Sequence, residues 1–502
     1  MTIGTSNQLE FNYANRPILE EIPVKKQRAK RHFGVHGYFT RQSWNVVAEY
    51  IVHFSKPGDL ILDPFGGSGT TAIEALMNGR KAIHVDLNPM SVFMVKSLTA
   101  PVNEIEFIDA YQRVKRKYLK GEPKSKTEIG HAILKYPYPK GFPLPKDSDV
   151  NTIEKLFTHR QLAQLAFLKS LIKEEKNEHI QNSLLLAFSS SLNKFNKMFH
   201  YTKTEGGGDS APFRYYRYRL APEPAHLDLM DIFETKFKKQ LAAKREMQPT
   251  IDAFTFQHTQ IVKGSATDLY WIAGESVDYI YTDPPYGKKI PYLDLSAMWN
   301  GWLDLEVTKP DYEQEAIEGG DQKKTKNEYN SLISASIKEM YRVLKFDRWM
   351  SFVFAHKDPG FWQVIMDSAE NCGFEYIGAV SQKNGQTSFK KRQHPFNALS
   401  GQLIINFKKL PKAKRIVKAN LGSSIAETVR QTIEHVINRN KGATLEQIND
   451  ELIIKGLEQG FLHLLKKQYA DLTRYLFSEF EFVDSSHRFF IRSENGHKTA
   501  IG

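Results

Sequence analysis

Two hydrophobic registers alternate along this chain and change at recognisable places. Leu60-Ile61-Leu62-Asp63, Lys81 to Asp86, Val277 to Tyr281 and Trp349 to Ala355 are short apolar runs bounded by turn residues, the pattern of buried strands. Thr259 to Gly264 reads as a further strand, and Glu375 to Val380 with Gln402 to Phe407 as a terminal antiparallel pair. Amphipathic helical spacing separates them, over Asn45 to Phe54, from near Thr70 to an Asn78-Gly79 C-cap, over Glu328 to Leu344 and over Phe361 to Asn371. Seven strands with helices between them predict an α/β fold on one sheet.

From Glu104 to Met247 the pattern shifts. A basic, polar stretch (Arg113 to Lys126) and a proline-rich loop (Tyr136 through Pro145) precede long helical patterns over Val150 to Glu174, Glu178 to Phe195 and Pro224 to Met247. After a lysine-rich linker, Lys408 to Lys418, come helices over Ser424 to Asn438, Thr444 to Ile454 and Gly460 to Phe477. Two short strands around Asp484-Ser485-Ser486-His487 follow, and together they predict a small winged-helix-like module. The expected division is 1–31, a loosely ordered basic arm; 32–105 and 254–408, two parts of the α/β domain; 106–253, a helical insertion; and 409–502, linker and module.

Composition narrows the class. With 502 residues, 41% hydrophobic and 12% aromatic, the chain can bury several cores. A net charge of +12 favours a polyanionic partner. Cys372 is the single cysteine, which excludes an internal disulfide and a cysteine zinc site. The N-terminus lacks an apolar signal region and no run approaches the ~20 residues of a membrane span. A soluble protein of a reducing, intracellular compartment is expected, with no membrane partner.

Two stretches carry the chemistry. In Tyr281-Thr282-Asp283-Pro284-Pro285-Tyr286-Gly287 the two prolines fix φ and force a stiff turn at the end of a strand. One carboxylate and two backbone carbonyls then face a common point beside an aromatic ring. A planar base can lie on that ring while its exocyclic NH₂ donates to Asp283 and to a carbonyl, which frees the nitrogen lone pair for attack. Positioning and electrostatics suffice, and no metal is expected. The second stretch, Asp63-Pro64-Phe65-Gly66-Gly67-Ser68-Gly69-Thr70-Thr71, brings a glycine turn into a helix, where backbone N–H groups can approach a ligand. An acidic residue ending the next strand, Asp86, suits a ribose hydroxyl, and Asn88 either lines the same rim or caps the helix at Pro89.

Together the F-x-G-x-G stretch (Phe65 to Gly69) and the D-P-P-Y stretch (Asp283 to Tyr286) resemble the amino-methyltransferases of DNA that use S-adenosylmethionine (SAM). The resemblance implies a Rossmann-like seven-stranded sheet, with the SAM loop before the catalytic loop. It implies Asp283, Pro284, Pro285 and Tyr286 as catalytic residues. It also implies a donor site made of Phe39, Thr40, Asp63, Phe65, Gly67, Gly69, Thr70, Asp86, Asn88 and Asp268, with S-adenosylhomocysteine (SAH) as product. Asp63 would accept from the ligand's amino group. Asp268 would meet the adenine amino group or else cap a helix.

The insertion lies where this family often carries target recognition, and its basic residues interleave with aromatics. Lys203, Arg214 and Arg217 are expected on phosphate there, as are Lys390, Lys391 and Arg392 in a loop beside the catalytic edge. An aspartate heading the catalytic loop points to N6 of adenine in double-stranded DNA, with N4 of cytosine as the alternative. A cognate restriction endonuclease or phage-defence subunits are the implied partners, in a prokaryotic or phage-infected cytoplasm at the nucleoid. A reading of another class is a DNA-binding or scaffold subunit with a non-catalytic SAM pocket.

Overall fold

The computed structural model describes residues 13–30, 32–201, 208–210, 212–213, 216–287, 290–383, 401–416, 424–469 and 471–492. In chain order its strands are β1 (Leu60–Asp63), β2 (Lys81–Asp86), β3 (Phe199–Tyr201), β4 (Gly208–Ser210), β5 (Gln260–Lys263), β6 (Val277–Thr282), β7 (Leu344–Phe354), β8 (Phe374–Lys383), β9 (Gly401–Lys409), β10 (Glu481–Val483) and β11 (Arg488–Phe490). The helices α1 (Trp44–Phe54), α2 (Thr70–Met77) and α3 (Pro89–Thr99) belong to the first half of the α/β domain. The insertion supplies α4 (Glu104–Gly121), α5 (Lys126–Lys135), α6 (His159–Lys173), α7 (Glu178–Ser191) and α8 (Leu229–Met247). Then come α9 (Ala253–Gln257), α10 (Tyr292–Trp302), α11 (Lys309–Gln314), α12 (Lys326–Val343) and α13 (Pro359–Cys372), and in the tail α14 (Ile425–Asn440), α15 (Leu445–Glu458), α16 (Leu462–Gln468) and α17 (Leu472–Glu479).

Seven strands form one sheet in the order β5-β2-β1-β6-β7-β9-β8. The first five run parallel, and β9 enters antiparallel to both β7 and β8. This is a doubly wound, Rossmann-like sheet, as the strand count predicted. Alternate residues supply its two faces. Ile61, Tyr279, Tyr281, Trp349 and Ile404 enter the apolar core shared with α1, α2 and the insertion. Leu62, Ile280, Phe352, Leu403 and Ile405 enter a second core with α12, α13 and the tail helices. Both faces are thus covered, which is why every residue of β6 is buried.

Three expectations change. Residues 13–30 are not a loose arm but a strap laid across the sheet. Trp349 Nε1 donates to Ala14 O (3.0 Å), Asn406 Nδ2 to Ile18 O (3.2 Å), and the Gln382 amide grips both the N–H and the carbonyl of Ile22 (2.9 and 2.8 Å). These bonds satisfy strap backbone that would otherwise be solvated, so the segment orders despite its polar composition. Second, the basic stretch near Arg113 is part of α4. Phe107, Ala110, Tyr111, Val114 and Tyr118 form a narrow buried stripe under charged neighbours. Third, the final helical pattern splits into α16 and α17.

The tail keeps the predicted outline. Helices α14 to α17 and the β10–β11 hairpin form one unit, and Ala443, between α14 and α15, pairs with Phe489 in the hairpin. It packs through α16 on α13 and through α15 on β8.

Candidate active site

The carboxyl ends of β5, β2, β1 and β6 lie side by side, so the loops leaving them converge on one edge of the sheet, where ligands of open α/β folds bind. A cleft opens there, with about 870 Å³ of space that includes its open mouth. Asp63, Phe65, Gly67 and Thr70 line it from the first loop, Asp86 and Asn88 from the second, and Asp283 and Pro285 from the catalytic loop. The two motifs, far apart in sequence, therefore share one cavity. Phe65 and Tyr286 also pack against the same apolar cluster.

The donor loop is built around its acids. Asp63 ends β1 and accepts at Oδ1 from Phe65 N (3.1 Å) and from Thr282 Oγ1 (2.9 Å), which ties the first loop to the catalytic strand. Burial pushes its carboxyl up to about 7 despite these bonds. Asp86 accepts at Oδ2 from Gly67 N and at Oδ1 from Asn88 N, both at 2.7 Å, and burial pushes it up to about 6. Asn88 fills both of the roles left open for it. Its Oδ1 caps α3 at Met90 N (3.1 Å), its Nδ2 donates to Ser296 Oγ (2.7 Å), and the residue still lines the cleft.

Three predicted donor residues stand elsewhere. Gly69 precedes α2 at φ +78°, and a Cβ there would lie 2.3 Å from Val95 Cγ2; it permits the loop before α2 to approach α3 closely and does not line the cleft. Phe39 turns away to stack on Phe213 (5.4 Å) and meet Trp299 (5.9 Å). Its neighbour Tyr38 takes the cleft side, stacked on Tyr292 (6.0 Å) and passing over Gly67, because successive side chains of an extended segment point opposite ways. Thr40 does line the cleft, and its hydroxyl bonds Tyr292 OH (2.8 Å). Asp268 is exposed, its N–H closing a turn on Ser265 O (3.1 Å); Gly264 to Thr267 form that wall in its place.

Sequence reasoning also missed Gln314, Glu315 and Ala316, which complete the wall after α11. Gln314 Oε1 accepts from Thr267 Oγ1 (2.8 Å), and Glu315 Oε1 accepts from Leu293 N (3.1 Å) while burial pushes its carboxyl up to about 7. No motif marks them; only the fold brings α11 to this edge.

In the catalytic loop the Tyr286 hydroxyl donates to Asp283 Oδ1, and its ring meets Phe354 edge-on at 5.2 Å. Pro285 O accepts from Tyr329 OH (2.6 Å), which pins the turn to α12. Trp299 and Trp302 are fully buried and belong to the core.

The expected DNA-contact residues are less represented. Lys203, Arg214, Lys390, Lys391 and Arg392 lie outside the described residues. Arg217 is half-exposed, 3.5 Å from Asp147 Oδ2, and donates to Tyr216 O (2.8 Å); it stands off the cleft wall. The aromatics meant for base stacking are partly core, since Phe195, Phe199 and Tyr218 are buried. Among the described residues, no group of three or more His, Cys, Asp or Glu is placed to hold a metal, and no helix is long and apolar enough to cross a membrane.

Residues 18–96, which carry the strap, β1, the glycine loop and β2, match the family described as DNA methylase. Over that segment the chain is similar to the DNA methylase family. Similar proteins include the Type II methyltransferase M.MvaI of Kocuria varians, 24% identical over 257 residues, 49% of this chain and 51% of that protein. The Type II methyltransferase M.MjaII of Methanocaldococcus jannaschii is 22% identical over 389 residues, 65% of this chain and 72% of that protein. The chain spans about half the length of the first relative. Among solved structures, a putative DNA modification methylase from Thermus thermophilus overlaps 34% of this chain and 61% of its own, at 13% identity and a TM-score of 0.18.

Proposed function

We propose that this chain transfers the methyl group of SAM to the exocyclic N6 amine of an adenine flipped out of double-stranded DNA. The observation that carries the proposal is the shared cleft, with Asp63, Gly67 and Asp86 on one wall and Asp283 and Pro285 on another. The donor walls suit SAM. Asp63 and Asp86 are buried acids whose charged forms gain from an ammonium group and from hydroxyl donors, and Tyr38 covers Gly67 where a nucleoside would enter. Gly66 keeps the loop close to the sheet, since a Cβ there would meet the His84 ring at 2.2 Å. When bound, SAM supplies an electrophilic methyl group.

The protein's own part is to hold the amine. Asp283 accepts one N–H of the target NH₂. A loop carbonyl, Pro284 O or Pro285 O, is the second acceptor; Pro285 lines the cleft, and its oxygen keeps a second lone pair beside the bond from Tyr329 OH. Tyr286 offers its ring to the base. Accepting both hydrogens restores the nitrogen lone pair, and the N–H acidified by methylation has Asp283 beside it as proton acceptor. The leading aspartate is what favours adenine N6 over cytosine N4. A role in restriction-modification or phage defence, beside a cognate endonuclease in the cytoplasm, is part of this proposal; that the relatives are named Type II methyltransferases supports its methyl-transfer part.

The test is incubation of the protein with double-stranded DNA and labelled SAM, followed by digestion to nucleosides. N6-methyladenine should carry the label, and Asp283→Ala should lower its formation by ~10²-fold or more. Label on N4-methylcytosine would replace the base assignment. SAM binding without transfer to DNA would favour the scaffold reading, and transfer that survives Asp283→Ala would overturn the mechanism.

A further inference from the structure

Four side chains from three distant segments close a ring around the catalytic loop. Gln42 Nε2 donates to Asp283 Oδ2 (2.6 Å) and to Gln402 Oε1 (3.0 Å). Gln402 Nε2 donates back to Gln42 Oε1 (2.5 Å). The Tyr286 hydroxyl donates to Asp283 Oδ1 and stands 3.4 Å from Gln402 Oε1. Both glutamines are buried, 8% and 2% exposed.

The chemistry of the ring fixes its direction. An ionised carboxylate only accepts, so Gln42 must present its NH₂ to Asp283. Its carbonyl then needs a donor, which orients Gln402, whose own carbonyl receives the second Gln42 proton. Each amide therefore has one satisfied orientation. The pair is also neutral. A lysine or arginine at position 42 would hold Asp283 as an ion pair and weaken it as an acceptor, whereas the Gln42 amide donates to it without adding a charge of its own.

We propose that Gln42 and Gln402 are positioning residues for the acceptor amine, setting the rotamer of the Asp283 carboxylate and, through it, of Tyr286. Gln42 precedes α1 on the segment that also presents Tyr38 and Thr40 to the donor side. Gln402 lies in β9. The ring thus links the segment before α1, the catalytic loop and the antiparallel strand β9. The proposal rests on the methyl-transfer reading above.

Single-turnover methylation with saturating SAM and DNA tests it in Gln42→Ala, Gln402→Ala and the double variant. Each single change should slow transfer by about tenfold or more, as expected for a displaced reacting group; SAH affinity should stay unchanged in Gln402→Ala, whose site lies off the cleft wall that Gln42 lines. The double variant should be no slower than the poorer single, because the pair acts as a unit. Gln42→Glu gives a signature that lost packing would not. When protonated, the substituted carboxyl donates to Asp283 as the amide does; when deprotonated, it repels Asp283. The rate of this variant should fall as pH rises while that of the wild type does not. Single variants at wild-type rate, a parallel pH profile, or SAH affinity lost in step with rate in Gln402→Ala would each overturn the assignment. An inactive wild type would instead sink the methyl-transfer reading. In that case ¹⁵N-glutamine labelling still decides: the Gln42 side-chain signal, identified by its loss in Gln42→Ala, should move in Asp283→Asn, and an unmoved signal overturns the ring.

Discussion

If Asp63 holds the ammonium group of the donor, as proposed, donor binding depends on pH. Burial holds its carboxyl at about 7 in the ligand-free cleft, far above the ordinary 3.8. The folded protein therefore keeps a proton that the unfolded chain loses. On its own, that contribution to stability is greatest at low pH and disappears as pH rises through about 7. Binding of a ligand ammonium group requires the opposite, ionised form. At pH 6 about one molecule in eleven carries that form, so the apparent dissociation constant of SAH should be about tenfold weaker than at pH 8, a cost of ~1.4 kcal/mol. Titration calorimetry between pH 6 and 8 measures this directly. Methylthioadenosine, which has the ribose and adenine but no ammonium group, should show little slope above pH 6.5, where Asp86 is already ionised. Asp63→Asn should flatten the SAH profile, lying well below wild type at pH 8 and close to it at pH 6. A flat wild-type profile, or the same slope for methylthioadenosine, would refute the ammonium assignment.

Three further outcomes follow from local geometry. Gly69→Ala places a Cβ at φ +78° and 2.3 Å from Val95 Cγ2; left-handed strain of ~1–2 kcal/mol plus overpacking of ~1–3 kcal/mol should lower stability in urea unfolding, and adding Val95→Ala should recover only the overpacking part. A loss under ~0.5 kcal/mol would show that the loop is not held as described. Gln382→Ala removes both hydrogen bonds to Ile22, so the melting temperature should drop with a loss of ~1–3 kcal/mol, and trypsin should cut the strap near Lys25 and Lys26 sooner than in wild type. Arg342 donates to Leu269 O (2.6 Å) and Ile272 O (2.9 Å), just past the Gly264 to Thr267 wall. Arg342→Ala should therefore weaken SAH binding severalfold, and unchanged affinity would mean that the wall is rigid without it.

What the sequence disclosed was the chemistry concentrated in contiguous stretches. Asp63, Phe65, Gly67, Asp86 and Asp283 sit at strand ends, where an apolar run followed by turn residues announces both the strand and the loop that leaves it. The misses share one cause. Side-chain direction in an irregular segment is set by what packs behind it, so Tyr38 and Phe39 could not be told apart until Phe213 and Trp299 were seen to claim Phe39. Asp268 was favoured for its charge, yet the turn closed by its own N–H carries that charge into solvent. Glu315 and Gln402 belong to no motif because their partners are 22 and 116 or more residues away. The α4 stripe was present in the spacing from Phe107 to Tyr118, but the lysines and arginines between hid it.

The position of the insertion explains how so large a segment coexists with the cleft. Strands β2 and β5 are parallel neighbours, so the chain leaving β2 must cross over before it can return beside it. A crossover tolerates length, and α4 to α8 are that crossover enlarged, packed on α3 and joined to its core. On the way back, Phe213 stacks on Phe39, and the Tyr218 hydroxyl donates to Leu295 O (2.5 Å) and accepts from Met298 N (3.1 Å) in α10. The aromatic residues of this tract thus anchor the insertion to the helix that follows the catalytic loop. In the proposed reaction Tyr286 remains to offer a ring to the base, and among the described residues of the tract Arg217 and Arg219 are half-exposed cations. Because the same α10 supplies Tyr292 to the donor cleft, a shift of the insertion on binding DNA would be felt first at Tyr38 and Thr40, the side chains bonded to or stacked on Tyr292.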